Sequence, residues 1–275
     1  MIHAYPSLGP QEVALLSELD RRRLTRVTSG QAREVLGVAT HRVLSDMARK
    51  GLLDRVGRGV YLVRPLRSVA RPWSVSALAA VEYLLQDEPH YVGGLIALTL
   101  HRLTDQQHAS LIDAFVLRRR KERIIANATV RFHASKANRI GVGTTHVQVE
   151  NAAVSVSDPE KTLLDALDYP QPFGGLREGV RLVSRSLDRV KPAVLIDYAL
   201  ELSTTSTLQR LGVLLERHGT VQAQLDVLAA RIRNTSNKPT MVPGPRTGTL
   251  NPTWHIIEND LASDKHSPTA TTRSR

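Results

Sequence analysis

Residues 39–63, ATHRVLSDMARKGLLDRVGRGVYLV, admit few folds. Val43, Leu44, Met47 and Ala48 recur at the spacing of a single helical stripe. Gly51 closes that helix, and LLDRV and GVYLV then alternate around Gly-Arg-Gly as the arms of a tight hairpin. The other side of the helix carries His41, Arg42, Ser45 and Arg49, and the hairpin tip carries Arg55 and Arg58. Arg42 and Asp46 have the i, i+4 spacing of an exposed ion pair, worth only about 0.3–0.5 kcal/mol.

The residues before this stretch supply its packing partners. EVALLSEL (12–19) is a one-sided helix through Val13, Leu15, Leu16 and Leu19. Thr28 and Gln31 form a capping box, in which each side chain satisfies a free backbone N–H. The helix behind them offers Ala32, Val35 and Leu36 to a core. Gly37 ends it in the left-handed conformation, Val38 is placed to plug the turn, and Thr40 is suited to cap the next helix.

Helix, helix, turn, helix and basic hairpin is the order of a winged helix-turn-helix. In such a module the start of the second helix of the pair reaches base edges in a major groove. The wing arginines meet phosphate or a minor groove. The expected DNA contacts are Thr40, His41, Arg42, Ser45, Arg49, Arg55 and Arg58, with further phosphate contacts from Arg22, Arg23, Arg26, Arg118, Arg119 and Arg120. Arg21 belongs to the same basic cluster. His41 and Arg42 either read bases or bind phosphate. Winged helices also serve as protein-interaction modules, which leaves that reading open.

Charge favours a duplex. The chain carries a formal net charge of +11. Residues 1–72 hold 13 Lys and Arg against 6 Asp and Glu, so most of the surplus sits in the first quarter. Such a surplus favours a polyanion, because neutralising phosphates releases counterions. There is no cysteine, which excludes disulfides, thiolate metal sites and cysteine nucleophiles. No apolar run is long enough for a membrane span, and the N-terminus lacks a signal pattern, so a soluble cytoplasmic protein is expected.

The expected fold class is α+β and helix-rich, with three parts. Residues 1–72 form the winged helix-turn-helix. Residues 73–262 form a larger helical domain with a small β-sheet, after a Pro- and Arg-rich connector at 64–73. Residues 263–275 form a disordered tail. Helical spacing marks 75–86, 176–190, 192–202 and 208–219. Strand patterns mark 114–118, 129–133, 145–150 and 153–157.

Chemistry in the larger part is sparse. Asp158, Glu160, Asp165 and Asp168 raise metal or acid–base work, but Asp158 followed by Pro159 and Glu160 reads more simply as a helix start. RRRKER (118–123) is a solvated turn, a second nucleic-acid contact, or a dock for an acidic partner. GVGTT (141–145) lacks the lysine of a phosphate loop and reads as a turn. His101, His108, His133 and His218 show no metal-protease spacing. The expectation is a protein that is not an enzyme and has no cofactor and no metal site.

Four blocks carry a family resemblance: YVGGLIALTLHRLTDQQ (91–107), SDPEKTLLDALDYPQPFGG (157–175), LQRLGVLLERHG (208–219) and NPTWHIIEN (251–259). In that order, behind a winged helix ending in RGVYLV, the chain resembles the AbiEi family, the antitoxins of abortive-infection type IV toxin–antitoxin pairs. The likeness runs from about residue 11 to 260. It departs at Arg102, where glycine is expected after the histidine, and at Asn251, where aspartate often precedes proline. The resemblance implies an autorepressor that binds inverted repeats in its own promoter, cooperatively with a second copy. It also implies a C-terminal domain that counteracts a nucleotidyltransferase-like toxin without needing to bind it tightly. Two other readings stay open: an ordinary winged-helix regulator with a ligand-sensing C-terminal domain, and an enzyme that reverses the toxin's chemistry.

Overall fold

The computed structural model describes residues 7–64, 76–106 and 110–260. His108, the tail at 263–275 and all but Arg64 of the expected connector lie outside them. In chain order the elements are α1 (Pro10–Arg21), β1 (Arg26–Thr28), α2 (Ser29–Leu36), α3 (Thr40–Arg49), β2 (Leu53–Gly57), β3 (Val60–Val63), α4 (Ala77–Leu85), β4 (His90–Gly93), α5 (Gly94–Leu100) and β5 (Leu111–Val116). There follow β6 (Arg123–Ile125), β7 (Ala128–Ala134), α6 (Ala137–Gly141), β8 (Thr144–Val149), β9 (Ala152–Ser157) and α7 (Pro159–Asp168). The chain continues with α8 (Leu176–Ser186), α9 (Pro192–Leu202), α10 (Thr205–His218), α11 (Gln222–Ile232), β10 (Thr249–Asn251) and β11 (Ile256–Glu258). The fold is mixed α+β and helix-rich, as the sequence pattern implies.

Two compact units account for the contacts. Of the described residues, the first comprises those up to Tyr91, 110–134 and 146–155. The second comprises 92–106, 135–145 and 156–260. In the first unit, α1, α2 and α3 enclose Leu15, Leu19, Val27, Ala32, Val43, Leu44 and Met47. Glu12 ties the two ends of this bundle, accepting from the Gly9 N–H at 2.8 Å and from the Lys50 ammonium at 2.6 Å. The hairpin β2–β3 gains a third strand, β1, which pairs with β3 from Arg26↔Leu62 to Thr28↔Val60.

The larger sheet is more extensive than four strand patterns suggest. Its order is β6-β7-β5-β4-β9-β8, with β5 parallel to β7 and β4 parallel to β9. The run RRRKER lies where the chain leaves β5, passes β7 and enters the edge strand β6, which runs antiparallel to β7. Ala126 and Asn127 then take left-handed conformations in the β6–β7 hairpin, the geometry of a primed two-residue turn.

The second unit is built around α7. Asp158 caps it, accepting from the Lys161 N–H at 2.7 Å, and Pro159 opens it. Leu163, Leu164 and Leu167 are buried, but so are Lys161 and Asp165. Arg139 donates to Asp165 at 2.6 Å and to Asp168 at 2.8 Å. Burial draws the Lys161 ammonium down to about 8, against the opposing pull of Asp165. The small side of α8 meets α7 so closely that a Cβ at Gly179 would lie 2.0 Å from the Ala166 carbonyl oxygen.

Both departures from the family pattern have a local reading. Arg102 has φ +57, the left-handed region that glycine enters most easily, and its carbonyl accepts from Arg189. Asn251 accepts from the N–H groups of Thr253 and Trp254, each at 3.1 Å, which an aspartate would also do. Its amide also donates to Glu258 at 2.8 Å, which an aspartate has no hydrogen to do.

A buried charge pair joins α4 to the sheet. His90 places Nδ1 2.9 Å from the Glu88 carbonyl and Nε2 3.0 Å from the Glu82 carboxylate, so both nitrogens face acceptors and the imidazolium form satisfies them. Burial works against that charge, but the bonds to Glu82 and Glu88 outweigh it and the His90 pKa is raised. Glu82 is lowered, because its bonds to His90 and the Ser155 N–H, with His146 nearby, outweigh burial. Stability from His90 is complete below 6.5 and fades as pH rises through its raised value. Stability from Glu82 is present above 4.5 and fades as pH falls through its lowered value. The thermal midpoint of the full chain is expected to fall on the alkaline side by roughly 2–4 °C for about 1 kcal/mol lost, and His90→Gln is expected to flatten that limb. An unchanged alkaline limb in His90→Gln contradicts the pair's role.

Candidate nucleic-acid interface

The capping box forms as the sequence requires: the Gln31 N–H donates to Thr28 Oγ1 at 3.2 Å, and the Thr28 N–H donates to Gln31 Oε1 at 2.8 Å. Gly37 ends α2 with a positive φ of +58, but its ψ of −131 lies outside the left-handed helical region that the sequence suggests. A tight turn over Gly37–Ala39 then leads into α3.

Two further expectations about this turn are corrected. Thr40 is not the cap of α3. Ala39 occupies that position, and Thr40 is the first helical residue. Its buried hydroxyl donates back to the Gly37 carbonyl at 2.5 Å, which removes Thr40 from the contact surface. Val38 does not plug the turn. It stands 108% exposed. The positive φ at Gly37 turns the chain so that the core is closed by Leu36 and Val43 on either side of it.

The exposed side of α3 is as the helical stripe predicts. His41, Arg42, Ser45 and Arg49 face solvent, while Val43, Leu44 and Met47 are buried. Asp46 pairs with Arg49 at 2.6 Å rather than with Arg42. Among the described residues Arg42 therefore has no ion-pair partner. In the wing, Arg58 lies in the turn beside Gly59, which has φ +71. Arg55 is not at the tip. It sits within β2 opposite Tyr61, exposed, with its Nε 3.3 Å from the Gly57 carbonyl.

The outlying arginines divide. Arg26 turns inward, because it opens β1. It is buried and bonds Asp87 at 2.5 Å. Arg21 and Arg22 both bond Glu18, which Arg21 above all holds down to about 2. Arg23 is exposed. Arg118 and Arg119 are exposed, whereas Arg120 bonds Glu88 and lies 5.9 Å from the Phe132 ring.

Arg123, read from the sequence only as the last residue of the run RRRKER, lies close to the wing strand β2. A Cβ at Gly57 would lie 2.4 Å from Leu84 Cδ1 and 3.9 Å from an Arg123 nitrogen. The signal for this was absent from local sequence, since 66 residues separate the two positions. Equally hidden was a cluster across β5 and β7. Asp113 is buried and accepts two bonds from Arg131 at 2.8 Å and one from His133 at 2.6 Å. The carboxylates near α7 do not converge: Asp158 caps, Glu160 accepts from the Lys191 N–H, and Asp165 and Asp168 hold Arg139.

Residues 14–64 match the family model described as transcriptional regulator, AbiEi antitoxin. Residues 91–217 match the model of the AbiEi antitoxin C-terminal domain. The chain belongs to the AbiEi antitoxin family. The regulator model ends at Arg64, just past β3, and the C-terminal model opens at Tyr91 in β4. The crystal structure of the RV2827C protein from Mycobacterium tuberculosis is similar in fold, with a TM-score of 0.62 over 92% of each chain at 16% identity. No curated protein matches in sequence. Among the described residues no helix is long and apolar enough to cross a membrane.

The division of arginines is testable through stability. Arg26→Ala is expected to cost about 1–3 kcal/mol, because it removes a buried, hydrogen-bonded cation from the β1 edge of the wing. Arg23→Ala is expected to stay within about 0.5 kcal/mol. Chemical denaturation of the two variants checks both values, and equal effects contradict the assignment.

Proposed function

We propose that this AbiEi family member is the autorepressor of its own toxin–antitoxin operon. It binds inverted repeats in the promoter through α3 and the wing. The observation that carries this reading is that His41, Arg42, Ser45 and Arg49 on α3 and Arg55 and Arg58 in the hairpin are all exposed in one winged helix-turn-helix. His41 and Arg42 lie in the first turn of α3, the part of a recognition helix that reaches base edges. Arg42, with no ion pair among the described residues, is the base reader in this account, and Arg58 meets phosphate beside the groove. Arg23, Arg118 and Arg119 add backbone contacts.

Residues 73–262 are the antitoxic part in this reading, and the opponent is a nucleotidyltransferase-like toxin in the same operon. The protein works in the cytoplasm, where both the promoter and the toxin are. A catalytic role is not part of the proposal, since the titratable clusters described above are engaged with one another. The functional boundary falls near residue 72, past the wing.

A gel shift with the DNA upstream of its own reading frame tests the repressor half. Preference over random duplex of at least a hundredfold is expected, with affinity falling steeply as salt rises. Arg42→Ala is expected to cost roughly 1–3 kcal/mol and relax specificity at one position per half-site. Arg58→Ala is expected to weaken binding to all sequences and lower the salt slope by about 1. Equal affinity for promoter and random DNA overturns the reading.

A further inference from the structure

We propose that Val38 is a specificity residue that reads the 5-methyl group of a thymine in the operator. The inference rests on the repressor reading above. Among the described residues Val38 is the most exposed of the large apolar side chains, at 108%, and its neighbours Leu36 and Val43 are buried. A fully exposed valine contributes nothing to the core; a single one is ordinary on a surface, and what distinguishes this one is its place in the turn that leads into α3. Its position is fixed all the same. Gly37 before it has φ +58, and the Thr40 hydroxyl after it is bonded to the Gly37 carbonyl at 2.5 Å.

That position is in the tight turn Gly37–Ala39 that leads into α3, three residues before His41 and four before Arg42. Along the chain, Arg33 lies five residues before Val38 and Arg42 four after, both exposed and without ion-pair partners among the described residues, while the exposed Glu34 pairs with Arg22 at 3.7 Å. A single exposed apolar side chain flanked in sequence by exposed charged residues does not resemble a protein hot spot, which is a packed cluster. It does match a major groove, where phosphates surround the edges and the one apolar group on any base pair is the thymine methyl. Direct readout by Val38 would complement the hydrogen bonding of Arg42, one selecting thymine and the other a neighbouring base.

The test uses the full chain and promoter duplexes in which each thymine is replaced singly by deoxyuridine, which removes only the methyl group. For the natural protein, one thymine in each half-site is expected to be sensitive, with affinity falling about three- to fivefold, the worth of one buried methyl. Val38→Ala is expected to bind the thymine duplex with that same loss and to be indifferent to deoxyuridine at that site, with an unchanged salt slope. The natural-protein arm needs no variant to fold. Promoter preference with uniform tolerance of deoxyuridine overturns the role of Val38 and leaves the repressor reading standing, as does full methyl sensitivity in Val38→Ala. No preference for the promoter at all overturns both.

Discussion

The hydrogen bond from the Thr40 hydroxyl to the Gly37 carbonyl governs the front of the molecule. It draws the start of α3 back against the end of α2, and the positive φ of Gly37 makes that turn accessible to the backbone. Everything exposed at the leading edge follows from it. With the turn closed this way, Val43, Leu44 and Met47 face the core, and His41 and Arg42 are left pointing outward. A threonine that caps its own helix would be exposed; this one is buried because it locks the preceding turn.

The wing is held from behind. Gly57 has no side chain because Leu84 of α4 occupies the space, and Arg26 anchors β1 by bonding Asp87 just past α4. These contacts lie within one unit and stiffen the hairpin whose tip carries Arg58. Preorganised cations lose less entropy on meeting phosphate than cations on a floppy loop. The charge surplus of residues 1–72 is therefore distributed with a division of labour: Arg26 stabilises, Arg21 and Arg22 satisfy Glu18, and Arg42 and Arg58 face outward.

What the sequence disclosed was local. The capping box at Thr28 and Gln31, the stripe of α3, the hairpin and the Asp158 cap each depend on residues within four positions or on a short alternation, and each formed. Family blocks added the antitoxin assignment, which no periodicity contains. What stayed hidden was set by partners far along the chain. Arg26 looked like surface because β1 is three residues long and pairs with β3, 32 to 36 residues away. Asp113, Arg131 and His133 meet only because β5 and β7 are parallel neighbours. Val38 was misplaced because a glycine at the end of a helix does not reveal which way the next residue will point.

The most direct measurement is amide chemical-shift mapping of the full chain during titration with its promoter duplex. The account predicts the largest changes at Val38, His41, Arg42 and Ser45 and across the wing turn at Arg58, with Arg26 and Thr40 responding weakly because they are buried. Changes confined to other surfaces, with residues 37–49 and 55–59 undisturbed at saturation, would contradict duplex recognition by this face.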